Sequence, residues 1–294
     1  MRARVLLMPG WTLFEQLALE ESLMRSSQEM WLLLSRPALP APCTVVMGAN
    51  AKPHEVLNVN EVLARSAPVI RRFSGGGTVA VDEGITLTSV IGSTLHVTDA
   101  GRFPPEIMRW SERLYKPAFA RIGSGMHLLE HDYCIGQQKI GGNAQALARD
   151  RWVHHTSWIW DIHPSSLRLL TVPPKTPAYR EERDHDSFVA RVKDLAPAAM
   201  SRGRLERQVL AAMLSQFEPV GEGGQPLFEN GEGPNEMATS LWDAALGLPG
   251  ASRFLQAALQ AARTAAEQVH AESSARKSNK VVSLADLQAA GSRK

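Results

Sequence analysis

Three segments of this 294-residue chain combine residue types that could do chemistry. In Arg71-Arg72-Phe73-Ser74-Gly75-Gly76-Gly77-Thr78, two guanidinium groups precede a hydroxyl and three consecutive glycines. Glycine has no Cβ, so its backbone N–H groups can close on an anion. Arginine presents a planar fork that matches a carboxylate or a phosphate. The spacing is not a Walker loop, because no Gly-Lys-Ser/Thr follows, and not the dinucleotide fingerprint, because a strand rather than a helix follows. Taken alone, the same residues also suit a plain hairpin turn flanked by surface arginines. In Gln138-Lys139-Ile140-Gly141-Gly142-Asn143-Ala144-Gln145, a lysine lies on a strand just before a Gly-Gly turn. Its ammonium could stand between a carboxylate and an α-phosphate as they join, although most lysines are simply solvated. Residues 143–149 read as the start of a helix. In Trp152-Val153-His154-His155-Thr156-Ser157-Trp158-Ile159-Trp160, strand alternation puts His154, Thr156, Trp158 and Trp160 on one face and His155 and Ser157 on the other. Adjacent histidines on opposite faces cannot share one metal, so no zinc site is expected. At least one of them is expected to be a hydrogen-bonded structural residue.

The rest of the composition narrows the class. Hydrophobic residues make up 44% and charged residues 21%, which excludes wholesale disorder. Lys+Arg is 32 and Asp+Glu is 30, a balance that gives no support to a nucleic-acid-coating surface. The longest apolar run is six residues, 209–214, against the roughly 20 that a membrane span needs. Cys43 and Cys134 sit in apolar segments and read as buried, reduced thiols; two cysteines make neither a disulfide framework nor a zinc knuckle. The first residues, MRARVLLMPGWTLFEQ, run almost at once into an amphipathic pattern and are too short for a convincing presequence. Either the protein stays where it is made, or a presequence precedes this start.

The elements that must position these segments follow from periodicity. Residues 12–26 have Leu13, Phe14, Leu17, Leu23 and Met24 at helical spacing, and Thr12 with Glu15 makes a capping box. MWLLLS and CTVVMGA read as strands separated by Pro37, Pro40 and Pro42. A helix over 59–65 precedes the short strands VIRRF, TVAV and ITLTSVI. A helix over 105–122 precedes the meander HLLE, DYCI and QQKI, and then the alternating strand VHHTSWIWD. Helices are predicted near 164–170, 182–195 and 205–217. Hairpins interleaved with helices, without strict βαβ alternation, predict an α+β fold. Residues 1–217 form one domain in this reading, and 218–236, with five glycines and several acids, form a linker. Residues 237–270 are a helical extension, and 271–294, Ser/Lys-rich without an aromatic residue, are a disordered tail.

RRFSGGGTVAVD, KIGGNAQ and WVHHTSWIWD, in that order and spacing, resemble three blocks of the lipoate–protein ligase A catalytic domain. PCTVVMGANAKPHEVLN is similar to the segment before the family's arginines, and YREERDHDSFVARVKDL to the domain's closing part, so the likeness covers 12–217. LALEESLMR and RDHDSF look most like the plant and algal branch. The resemblance implies a biotin/lipoate-ligase-like α+β domain with mixed, largely antiparallel sheets and flanking helices. It implies activation of lipoate or octanoate by ATP to an acyl-AMP, with Mg²⁺ as helper through ligands the sequence does not show. The acyl group then passes to a lysine of a lipoyl domain in a 2-oxoacid dehydrogenase complex or of the glycine-cleavage H protein. Biotin ligases use an Arg-rich glycine loop instead, so Ser74-Gly75-Gly76-Gly77 favours lipoate.

Carried across by position, Arg72 matches the nucleotide-contacting arginine, and Gly77, Thr78, Val79 and Ala80 the ATP-binding stretch. Lys139 matches the catalytic lysine that touches both ATP and lipoate, and Asp132 an aspartate that frames the adenylate. Gly75, Gly76 and His155 match the lipoyl pocket. Val69, Val79, Ile140 or Trp158 would supply its apolar slot. Three positions depart from the pattern: Val81 for a common His, Gly141 for Ser, and Thr156 for Gly, the last expected to narrow the pocket. Residues 237–294 do not resemble the accessory domain of larger ligases, so a separate accessory protein is one expectation. Two other readings stay open: an acyltransferase working through a thioester on Cys43 or Cys134, and a non-catalytic binder. The family likeness suggests mitochondria or plastids, for which the visible N-terminus gives little support, and the expected location is mitochondrial or cytoplasmic.

Overall fold

The computed structural model describes residues 1–228, 232–249, 251–272 and 279–292. In chain order, β1 (Arg2–Thr12) runs straight into α1 (Leu13–Ser26). The junction is the capping box read from the sequence: Glu15 N–H donates to Thr12 Oγ1, and Thr12 N–H donates to Glu15 Oε2. Then come β2 (Trp31–Ala38), β3 (Cys43–Met47), the short helices α2 (Pro53–Val56) and α3 (Val59–Ala64), β4 (Val69–Arg71), β5 (Gly75–Gly76), β6 (Val79–Asp82) and β7 (Ile85–Ser93). Helix α4 (Pro104–Tyr115) leads to β8 (Met126–Leu129), β9 (Asp132–Ile135), β10 (Gln138–Ala148) and β11 (Arg151–Ile159). The chain closes with α5 (Pro164–Leu167), α6 (His185–Phe188), α7 (Val192–Leu195), α8 (Arg202–Leu214), β12 (Glu218–Pro219), α9 (Pro234–Ala245), α10 (Arg253–Glu272), β13 (Lys280–Val281) and α11 (Leu284–Gly291).

The large sheet has the order β12-β1-β2-β7-β11-β10-β9-β8, with β5 added on β10; the small sheet has the order β13-β4-β3-β6. Among the named strands of the described residues, β1–β2, β1–β12 and β3–β4 pair in parallel and the others antiparallel, so the sheets are mixed and largely antiparallel, as the α+β reading expects. One face of the large sheet packs on α4 and α8 around Trp110, Trp152, Trp158, Tyr133 and Phe217. The other face is covered by α1 and α10, where Leu19, Leu23, Trp31 and Val153 meet Ala266. The small sheet has its own core of Val45, Met47, Val69 and Ile70. Buried Glu206 of α8 ties the layers together: Arg36 Nε and Arg202 Nε donate to it at 2.8 and 3.0 Å, and Thr86 Oγ1 at 2.7 Å.

Several local expectations are corrected. Residues 143–149, read as a helix start, are instead the end of β10, paired residue by residue with β11 up to Ala148↔Arg151, and the turn that begins at Arg149. Ala-Gln-Ala-Leu-Ala favours a helix locally, but a complete ladder to a central strand outweighs that weak preference. The amphipathic start of the chain is a strand, since β2 and β12 flank it. The single helix predicted over 182–195 is two separate turns, α6 and α7, because Ala190 N–H donates to Lys139 O (2.8 Å) instead of continuing a helix. Within the predicted linker, β12 pairs with β1 and Leu227 N–H donates to Pro219 O; residues 229–231 lie outside the described residues. Helices α9 and α10 put Leu241, Trp242 and Leu255 into the same core as α8. The predicted disordered tail holds β13, paired with β4, and α11, whose Leu287 and Ala290 are buried in the small-sheet core. Residues 273–278 and 293–294 of that tail lie outside the described residues. A short apolar face capped by Ser283 and Asp286 was hidden by the Ser/Lys-rich composition around it.

Candidate functional site

Parallel pairing of β3 with β4 delivers the chain to Arg71, and Arg72 then turns inward. Its guanidinium is wrapped by its own loop: Nε donates to Ser74 Oγ (3.0 Å), and Nη2 to Gly75 O (3.2 Å) and Gly77 O (2.7 Å). Burial lowers its pKa to about 10, so it remains a cation at neutral pH. Arg72 therefore shapes the loop from beneath. Position 76 demands glycine, with φ at +112° and a would-be Cβ 2.9 Å from both Arg72 Nη2 and Asn143 O. Gly75 and Gly76 lie on β10 opposite Gln145 and Ala144, and Gly75–Gly77 are exposed. Beside them Thr78 Oγ1 is buried without a hydrogen-bond partner, and Val79 is half-buried. Ala80 is buried in the small-sheet core, so only its backbone is open to a role there.

At the start of β10, an irregularity in the pairing with β9 between Lys139 and Gly141 brings Lys139 beside Gly142. Lys139 Nζ lies 2.8 Å from Asp132 Oδ1, and Tyr179 OH donates to Asp132 Oδ2 (2.9 Å). A Cβ on Gly142 would stand 3.2 Å from Lys139 Cε and Nζ and 3.3 Å from Ser157 Oγ. The missing side chain at 142 is what leaves room for the ammonium. One strand thus carries Lys139 at its start and the glycine loop, braced by Arg72, a few residues further on.

The two histidines divide as alternation requires. His154 is wholly buried; Gln145 Nε2 donates to its Nδ1 (3.0 Å), and burial drives its pKa down to about 3. It is a neutral structural residue. His155, on the other face, has Nδ1 2.7 Å from Glu20 Oε2 of α1, while its Nε2 is buried without a partner and its ring meets the edge of Phe73 at 5.5 Å. Glu20 is fully buried and also accepts from Gln16 Nε2 (2.8 Å) and Ser89 Oγ (2.7 Å). Sequence reasoning missed Glu20. Its signal was a carboxylate among Leu13, Leu17 and Met24 on the buried face of a helix. Sequence reasoning also assigned no role to Tyr179 or to His185, whose pKa is lowered to about 4 by burial, with the charges of Arg180 and Lys139 adding to it.

Other expectations change. Val69, Ile140 and Trp158 are core residues and do not line an open slot; Trp158 stacks on Tyr133 at 5.0 Å. A Cβ on Gly141 would stand 3.0 Å from Trp158, which accounts for glycine in place of serine there. Thr156 shares the face of His154 and donates to Asn143 Oδ1 (2.7 Å), so it does not narrow the side where His155 lies. Val81 is buried in the small sheet opposite Thr44. Cys43 and Cys134 are both buried, and burial pushes each thiol up to about 11, so neither is a ready nucleophile. Among the described residues, no group of three or more His, Cys, Asp or Glu could hold a metal ion.

Residues 12–214 match the family described as the lipoyl protein ligase A/B catalytic domain. The chain is 26% identical over 182 residues to Inactive lipoate–protein ligase 2 of Plasmodium falciparum, covering 51% of this chain and 47% of that one. It is 28% identical over 144 residues to Lipoate–protein ligase 1 of Staphylococcus aureus, covering 47% and 40%. The chain spans about half the length of the curated relatives it matches. Among solved structures, a lipoate–protein ligase A bound with ATP superposes with TM-score 0.57 at 19% identity, over 83% of this chain and 95% of that one. A bi-partite lipoate protein ligase studied with its E2 lipoyl domain from Thermoplasma acidophilum gives 0.60 at 19%, over 83% and 92%. At such identities these two show the fold.

Proposed function

The chain belongs to the lipoyl protein ligase A/B catalytic-domain family, and on that premise we propose that it joins lipoate or octanoate to a lysine of a lipoyl domain, with ATP as co-substrate. The observation that carries this reading is the placement of Lys139, paired with Asp132 and seated against side-chain-free Gly142 on the strand that also holds the glycine loop. The acyl carboxylate oxygen attacks the α-phosphorus of ATP, and pyrophosphate leaves. Two anions approach in that step. Lys139 relieves their repulsion and stabilises the charge growing on the phosphorus oxygens. Asp132, held by Tyr179 OH, keeps the ammonium in place. The exposed backbone of Gly75–Gly77, set by buried Arg72, offers N–H groups to the nucleotide or the acyl carboxylate. The acceptor lysine's neutral amine then attacks the acyl carbonyl, and AMP leaves with the bonding electron pair. His155, with Phe73 and Glu20 against it, is the proposed neighbour of the acyl chain. Lipoyl domains of 2-oxoacid dehydrogenases and the H protein are the proposed acceptors, and a separate accessory protein is a proposed partner. No step is assigned to Mg²⁺.

The test is lipoate-dependent exchange of pyrophosphate into ATP, with mass spectrometry of an apo lipoyl domain incubated with protein, ATP and either acid. Lys139→Ala should lose exchange by ~100-fold or more while its thermal midpoint stays within about 3 °C of wild type. A wild-type protein that binds ATP yet forms no acyl-AMP would make this chain a binder without catalysis. A large drop in the midpoint would make Lys139 a structural residue.

A further inference from the structure

Residues 178–190 form a wall beside Lys139, stitched to the β9–β10 end of the large sheet. Tyr179 N–H donates to Glu130 Oε1 (3.2 Å), Arg183 Nη1 to Gln137 O (2.7 Å), and Ala190 N–H to Lys139 O (2.8 Å). Tyr179 OH closes on Asp132, the partner of Lys139. The residue after this tyrosine is Arg180.

Arg180 is only 4% exposed. Its Nε donates to Arg183 O (3.0 Å), and the guanidinium lies 4.6 Å above the Phe188 ring. Its Nη2 is buried with no hydrogen-bond partner. Among the described residues, no carboxylate comes within 4.0 Å of it to form an ion pair. The surroundings compensate only in part: Asp184 favours the charge from beyond ion-pair distance, and the Phe188 face adds to it. Asp132 is already committed to Lys139 and Tyr179, and Arg183 adds like charge. Neighbouring His185 is kept neutral by burial.

A buried cation with an open N–H group carries a desolvation cost that its own chain offsets only in part. Buried, strongly perturbed charges concentrate at functional sites. The guanidinium edge is shaped for two oxygens of one anion. We propose that Arg180 is a substrate-binding residue of this site, seating an oxyanion next to Lys139. The oxyanion is a phosphate of the nucleotide or the carboxylate of the acyl substrate. Which of the two it is rests on the ligase reading; that an oxyanion completes Arg180 does not.

The experiment is calorimetric titration of the full chain with inorganic pyrophosphate and, separately, with lipoate, for wild type, Arg180→Met and Arg180→Lys, with a thermal midpoint for each. Arg180→Met should weaken one of the two ligands by ~10-fold or more. Arg180→Lys, which keeps the charge and loses the fork, should fall between. Loss for pyrophosphate assigns the phosphate, and loss for lipoate the carboxylate. The midpoint of Arg180→Met should stay close to wild type, because the desolvation cost relieved offsets the lost Arg183 and Phe188 contacts. A lowered midpoint with both affinities unchanged would mark a purely structural arginine and overturn the proposal. So would a wild-type protein that binds neither anion, or Arg180→Lys binding both as wild type does. Arg180-dependent pyrophosphate binding in a protein that transfers no acyl group would remove the ligase reading and leave this one standing.

Discussion

At Gly142, a single absent methyl group decides whether Lys139 can hold its place. Alanine there would put a Cβ 3.2 Å from Lys139 Nζ and Cε, tighter than ordinary contact. The lysine end is flexible, so the fold absorbs the change by moving the ammonium a few tenths of an ångström away from Asp132. Reaction rates are sensitive to such displacement, whereas stability is not. Gly142→Ala should lower pyrophosphate exchange about 10-fold and leave the thermal midpoint within ~2 °C. Exchange at the wild-type rate would show that Lys139 is not positioned through this gap. Gly76 is a different case, because its positive φ and two close neighbours forbid any side chain.

Among the elements, the C-terminal segment does the least expected work. Asn279 is buried where three segments meet: its Oδ1 accepts from Phe73 N–H (2.9 Å), and its Nδ2 donates to Leu17 O (3.1 Å) and Glu21 Oε2 (3.0 Å). It thereby fastens the arginine–glycine loop to α1. Directly after it, β13 pairs Lys280 with Arg71 and covers the open edge of β4. Asn279→Ala leaves Phe73 N–H without its acceptor and should cost about 1–3 kcal/mol. Urea unfolding measures this. A loss no larger than that of Val281→Ala, at a largely exposed position of the same strand, would show that the amide braces nothing.

The molecule as a whole is sensitive to acid through a histidine it cannot protonate. His154 sits between the sheet and α4, and burial holds its pKa near about 3, against an ordinary 6.5. The folded-state value is the depressed one, so below about pH 6.5 the unfolded chain takes up a proton that the folded chain refuses. Stability is therefore fully present above that pH and falls as pH drops towards about 3, with a limiting slope of ~1.4 kcal/mol per pH unit. His185, lowered to about 4, pulls in the same direction. In His154→Gln the acid limb should be shallower between about pH 6 and 4. Parallel limbs for mutant and wild type in urea titrations would show that His154 is not the group responsible.

Residue order by itself determined a good deal of this protein. Thr12 and Glu15 announced the first helix, and alternation along 152–160 separated His154 from His155. The glycines and lysine of the second motif lie where a strand and a missing side chain were needed. These signals are local, set by a hydrogen bond three residues away or by the two-residue period of a strand. Tertiary structure alone decided the rest. Asn143 to Ala148 became strand because β11 supplied a full set of partners. Trp158 and Ile140 went into the core because α4 and α8 cover that face. Glu20 met His155, Tyr179 met Asp132, and Asn279 met Phe73 across separations of 47 to 206 residues. Such pairings depend on which faces are brought together when separate layers pack, and no spacing along the chain encodes that.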